Sequence, residues 1–87
     1  FEKDIPVLLY PNPTHGELFI RANNRESGPI DLQLFDLRGQ LLYSTKLEEN
    51  EINDGTLRMD IRGWAKGMYL LKLSADGQTE MLKVILL

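Results

Sequence analysis

No cysteine occurs among the 87 residues, which excludes disulfides, a thiolate nucleophile and any zinc site built on sulfur. There is one histidine, His15, so a multi-histidine metal centre is excluded and Ser–His–Asp chemistry has no second imidazole in reserve. Basic charge is short as well: ten Lys plus Arg stand against thirteen Asp plus Glu, a net charge of −3. Nucleic-acid phosphates call for a clustered basic surface that this balance does not supply. Long apolar runs are also missing. The longest, Val7-Leu8-Leu9-Tyr10 and Val84-Ile85-Leu86-Leu87, fall far short of the ~20 residues that a transmembrane helix needs. Phe1-Glu2-Lys3-Asp4 carries three charges where a signal peptide would place a basic patch and then an apolar run. With no Met at its head, the chain reads as a fragment or processed piece, and residues 1–6 as a linker remnant.

What is present describes one soluble domain. Hydrophobic residues make up 43% and charged residues 26%, a globular mixture rather than that of a disordered tail. The length leaves room for a single domain over residues 1–87 with one modest core.

The dominant period is two. Leu18, Ile20 and Ala22 alternate with Glu17, Phe19 and Arg21; Ile30, Leu32 and Leu34 alternate with Asp31, Gln33 and Phe35. Leu57, Met59 and Ile61 form another such set, as do Leu41, Tyr43, Thr45 and Leu47, then Tyr69, Leu71, Leu73 and Ala75, and finally Leu82, Val84 and Leu86. Each is the pattern of a strand with one face on a core. With Val7–Tyr10 this predicts about seven short strands, an all-β sandwich or barrel. No window of helical length carries an i, i+3, i+4 stripe, and the acidic stretch from Leu47 to Ile52 reads as loop.

The turn residues support that count. Asp76-Gly77 between two alternating runs predicts a type I′ hairpin. Asp36-Leu37-Arg38-Gly39 has the Asp and Gly of a type I turn at its first and fourth positions. Pro11-Asn12-Pro13-Thr14-His15-Gly16 is a stiff corner, with two fixed φ angles and an Asn able to bond backbone. Ser27-Gly28-Pro29 and Asn53-Asp54-Gly55 are further loops, and Gly63 and Gly67 bracket a tight connection around Trp64.

Catalytic chemistry finds no foothold. Ser27, Ser44 and Ser74 are the only serines, and none sits in a Gly-x-Ser-x-Gly elbow. Glu48, Glu49, Glu51 and Asp54 crowd one polar loop, where nothing desolvates a carboxyl as a glycosidase acid requires. They read as solvated surface, with a loose calcium site as the lesser reading and no match to an EF-hand. His15 reads as polar surface, and Asn12-Pro13-Thr14 is barred as a glycan acceptor by its proline. No catalytic residue, metal site or cofactor is expected.

The second face of the strands is more informative. Phe19, Phe35, Leu42, Met68, Leu70, Met81 and Ile85 fall out of phase with the core sets, where a small sandwich normally places polar residues. Either the register is misjudged and loops or the Trp64 segment cover them, or several form an apolar patch that binds another protein.

Taken together, Tyr10-Pro11-Asn12-Pro13-Thr14-x-Gly16, Phe35-Asp36-x-x-Gly39, Gly67-x-Tyr69-x-Leu71-x-Leu73 and the closing Lys83-Val84-Ile85 resemble the type A C-terminal sorting domain of the type IX secretion system, a family of Bacteroidota and relatives. The resemblance runs from about Val7 to Leu87, with Trp64 standing where many members carry a smaller aliphatic residue. It implies an immunoglobulin-like β-sandwich of about seven antiparallel strands that ends a larger secreted protein. It also implies passage of the N-terminal cargo through the periplasm. Recognition follows by the type IX translocon and shuttle proteins of the outer membrane, with delivery to the cell surface or medium. A sortase-like cell-surface protease commonly removes the domain. On this reading Pro11, Asn12, Pro13, Gly16, Asp36, Gly39, Gly67 and Tyr69 are the family's turn and strand residues, and Met81, Lys83, Val84, Ile85, Leu86 and Leu87 are the candidates for translocon recognition. The alternative is a carbohydrate-binding or adhesive sandwich, which would need exposed coplanar aromatics drawn from Trp64, Tyr10, Tyr43 and Tyr69.

Overall fold

A computed structural model of the chain describes residues 7–22, 29–47, 56–75 and 77–87. Among these are seven strands and no helix: β1 (Val7–Tyr10), β2 (Glu17–Ala22), β3 (Ile30–Phe35), β4 (Leu41–Leu47), β5 (Thr56–Asp60), β6 (Gly67–Ala75) and β7 (Gln78–Leu86). They form two sheets, β1-β2-β5 and β4-β3-β6-β7, and every pair of neighbours in them is antiparallel. Residues 1–6, Ser27, Gly28, the acidic stretch Glu48–Asp54, Gly55 and Asp76 lie outside the described residues.

The period-two pattern translates directly into layers. Leu18 and Ile20 of β2, Ile30, Leu32 and Leu34 of β3, Leu71 and Leu73 of β6 and Val84 of β7 are all essentially inaccessible to solvent. With Ile61 and Leu86 they form one core between the two inner faces. Apolar area removed from water drives this association at about 25 cal/mol per Å², and no disulfide assists it.

β4 departs from its expected phase. Leu47 is buried and Thr45 half-buried, but Leu41 and Tyr43 are 46% and 38% exposed rather than in the core. Two causes combine. β4 is the outermost strand of the larger sheet, so the three-stranded partner does not cover its first residues. The register also shifts where Leu34 pairs with Tyr43 and Phe35 with Leu41, which leaves Leu42 opposite nothing and bends the strand outward. Leu57 and Leu82 also pack against the core only in part.

Both expected hairpins are present. Between β3 and β4, the Gly39 N–H donates to the Asp36 carbonyl at 3.0 Å, the bond that closes a β-turn. Between β6 and β7, Ala75 pairs with Gln78, which leaves a two-residue connection, and Gly77 has φ +78°. A Cβ at Gly77 would touch nothing within 4 Å, so substitution there tests backbone strain alone. Gly77→Val is expected to lower stability by about 1–3 kcal/mol, the cost of holding a β-branched residue in the left-handed region. A thermal melt indistinguishable from that of the parent chain would refute the assignment of this turn.

Candidate functional site

β7 is the strand on which the recognition candidates fall. Its alternation sends Val84 and Leu86 into the core and turns Met81, Lys83 and Ile85 to the outer face of the four-stranded sheet. Met81 and Leu87 are about half exposed, Lys83 is exposed and Ile85 half-buried. Val84 and Leu86 are therefore anchors of the strand, and of the six candidates only Met81, Lys83, Ile85 and Leu87 present atoms to solvent.

The order of the sheet makes β7 an edge strand, whose outer backbone groups would ordinarily be free to pair with another chain. Here they are already engaged over the last residues. The Asn12 side-chain amide donates to the Lys83 carbonyl at 2.6 Å and accepts from the Ile85 N–H at 3.0 Å. Then the Thr14 N–H donates to the Ile85 carbonyl at 2.8 Å, and the Leu87 N–H donates to the Thr14 carbonyl at 2.9 Å. The Pro11–Gly16 corner thus acts as a short parallel strand laid along the end of β7. Both of its prolines follow cis peptide bonds. Strand addition by a partner at residues 83–87 is closed off, and only side chains can be read there.

The corner is itself locked to the rest of the fold. Thr14 is the buried polar residue among the described ones; its hydroxyl donates to the Glu17 carbonyl at 2.6 Å and accepts from the Gly16 N–H at 3.0 Å. The Gly16 carbonyl accepts from the Ile61 N–H at 2.8 Å. Nearby, Arg62 binds the Asp60 carboxylate through Nε at 2.9 Å and through a terminal nitrogen at 2.6 Å. Those hydrogen bonds from Arg62 hold the Asp60 carboxyl well below the usual carboxylate range.

The remaining turn and strand residues, Asp36, Gly39, Gly67 and Tyr69, are structural in the same sense. The Asp36 carboxylate accepts from the backbone N–H groups of Gln40 and Arg38, each at 2.9 Å, and pairs with the Arg38 guanidinium. The Gln40 bond leads in pulling its pKa down. Gly67 opens β6 opposite Leu86. Tyr69 is buried, donates its hydroxyl to the Ala65 carbonyl and meets Trp64 edge-on at 5.3 Å. These residues hold turns and the C-terminal strand in place; they do not converge on a reaction centre. Among the described residues no group of three or more His, Cys, Asp or Glu is placed to hold a metal, and His15 is exposed in the corner.

The out-of-phase apolar residues separate into distinct places. Phe35, Met68, Leu70, Met81 and Ile85 share the outer face of the four-stranded sheet. Leu42 lines a depression of about 470 Å³ beside Trp64 and Tyr69. Phe19 lies on the other sheet, its ring stacked on Tyr10 at 5.5 Å. Of the candidate aromatics, Trp64 packs on Tyr69 while Tyr10 stacks on Phe19 in the other sheet, and Tyr43 stands on β4, so the four form no common stacking platform. Sequence reasoning missed Thr14 and Arg62, whose signals were their positions beside Gly16 and Asp60. It also missed Lys72, which lies between Gln33 and Met81 on the outer face.

Comparison with known proteins adds two findings. The family model described as "Secretion system C-terminal sorting domain" matches residues 8–87. The crystal structure of dimeric latent PorU from Porphyromonas gingivalis contains a region of the same fold, with a TM-score of 0.65 and 20% sequence identity; the match covers 93% of this chain and 9% of that one. The fold is thus an immunoglobulin-like β-sandwich, and the chain spans about a tenth of the length of that protein. The search of curated proteins gave no significant match.

Proposed function

We propose that this chain, which belongs to the family of secretion system C-terminal sorting domains, is a folded export signal of type IX secretion rather than an enzyme. It follows a cargo in a longer protein, passes with it through the periplasm, and is recognised by the translocon and shuttle proteins of the outer membrane. The cargo is delivered to the cell surface or the medium, and a sortase-like protease removes the domain. The observation that carries this reading is the latch between the Pro11–Gly16 corner and β7. It fixes the last residues as a rigid, two-faced strand, so that Met81, Lys83 and Ile85 are displayed in a set geometry only when the whole domain is folded.

The test is delivery of a reporter protein fused ahead of Phe1. Removal of Lys83–Leu87 is expected to abolish surface delivery and leave folded reporter in the periplasm, measured by fractionation and surface protease accessibility. Normal delivery after that truncation would overturn the sorting reading.

A further inference from the structure

The outer face of the four-stranded sheet is divided along its length. Across the strands, Met68 neighbours Ile85, then Phe35, Leu70 and Lys83 stand in one row and Gln33, Lys72 and Met81 in the next, before the polar row of Asp31, Ser74 and Thr79. Its first half is therefore apolar in a position where a solvated sandwich face carries polar side chains. A depression of about 330 Å³ lies over it, bounded by Phe35, Leu70, Lys72 and Met81 and by Leu37 at the tip of the adjoining turn. Leu37 is 63% exposed and Met81 50%, so the apolar surface is continuous from strand to turn.

Both signs of charge occur on this face, but among the described residues only cations are left unpaired. Asp31 is matched by Lys46 at 3.7 Å, and the Asp36 carboxylate is taken by Arg38 and the turn's own N–H groups. Lys72 and Lys83 make no ion pair with any described residue. A chain with net charge −3 thus carries two unmatched cations beside its exposed apolar strip. We infer that this face is the docking surface of the domain, and that its occupant is a protein surface with an apolar centre rimmed by carboxylates. The apolar centre supplies area and the carboxylates steer the encounter and fix its register. A second copy of the chain is disfavoured as the occupant, because its matching face offers the same unpaired lysines and its carboxylates, Asp31 and Asp36, are already paired with Lys46 and Arg38. The closed edge of β7 agrees with side-chain docking rather than strand addition. This inference rests on the sorting reading and names the chemistry of the partner within it.

The test uses one half-exposed position and both signs of charge. Met81→Glu and Met81→Lys are placed in the full reporter-bearing chain, beside the Lys72→Glu/Lys83→Glu double variant and the Lys83–Leu87 truncation. Met81→Glu and the double variant are expected to lower the exported fraction about tenfold, and Met81→Lys to change it less than about twofold, since only the like charge meets repulsion. Melting temperatures of all three substitution variants are expected to stay within a few degrees of the parent, which sets the effect apart from unfolding. Equal losses from Met81→Glu and Met81→Lys would overturn the acidic rim. No loss from either, while the truncation still blocks export, would overturn the docking face and leave the sorting reading standing. Export that survives the truncation removes both. A dimer in sedimentation that Met81→Glu dissolves would assign the face to a second copy and overturn the inference.

Discussion

Val84→Asp is expected to leave the domain largely unfolded at 37 °C, while Lys83→Glu, one residue away, shifts its melting temperature by only a few degrees. Val84 has no solvent exposure and sits in the core between the sheets. A carboxyl placed there loses its water and meets only apolar neighbours, so it must either stay ionised at great cost or be held protonated and unpaired. The lost packing and the desolvation together cost on the order of 4 kcal/mol or more. A domain of this length has roughly 4–13 kcal/mol in all. Lys83 is exposed and meets Asn12 only through its backbone carbonyl, and an outward charge change of this kind usually costs under ~0.5 kcal/mol. The pair therefore separates fold from recognition on adjacent residues. Thermal melts followed by circular dichroism, with the export assay alongside, are expected to show both losses for Val84→Asp and an export loss alone for Lys83→Glu. A Val84→Asp chain that melts like the parent would refute the placement of β7 in the core.

Why the fold was so legible follows from the same alternation. β3 and β6 carry strict inside–outside patterns because each lies inside the four-stranded sheet with a neighbour on both sides, and β7 keeps its pattern at the edge because Val84 and Leu86 reach the core. β4 misled for the converse reason. Leu41 and Tyr43 keep the apolar period, but neither the edge position nor the bulge at Leu42 leaves a mark on it. The out-of-phase residues were ambiguous because alternation does not say which sheet a strand joins. Phe19 and Phe35 look alike in sequence, yet one stacks on Tyr10 in the three-stranded sheet and the other stands beside Leu70 in the four-stranded sheet. The corner was legible as a stiff turn and illegible as a latch. Its partners, Lys83 and Ile85, are more than 70 residues further on, and a local motif carries no record of so distant a contact. The acidic residues Glu48, Glu49, Glu51 and Asp54 lie outside the described residues, so the calcium reading stays where the sequence left it.

The latch makes Gly16 the least replaceable turn residue of the corner, and Gly16→Ala is expected to destabilise the domain by about 2–6 kcal/mol. Two independent effects contribute. Gly16 has φ +143°, a conformation that L side chains rarely adopt, which costs about 1–3 kcal/mol. A Cβ there would also stand 2.1 Å from Arg62 Cγ and 3.1–3.2 Å from the Arg62 Cβ and Cα atoms. An arginine stem would ordinarily swing away, but this guanidinium is held by the Asp60 carboxylate, so relief means breaking that pair or moving the backbone. Overpacking of this kind costs a further 1–3 kcal/mol or so. The two effects can be separated by a double-mutant cycle. In an Arg62→Ala background the closest clash is gone but the φ strain and the tighter contacts to residue 62 remain, so Gly16→Ala there is expected to cost about 1–2 kcal/mol less. Denaturant melts of the four chains measure the difference directly. Equal costs in both backgrounds would mean that Arg62 yields freely and that strain alone accounts for the glycine. In either case the amides of Ile85 and Leu87, which close the latch on Asn12 and Thr14, are expected to lose hydrogen-exchange protection before the core of β6 does, because the corner that covers them is the part displaced.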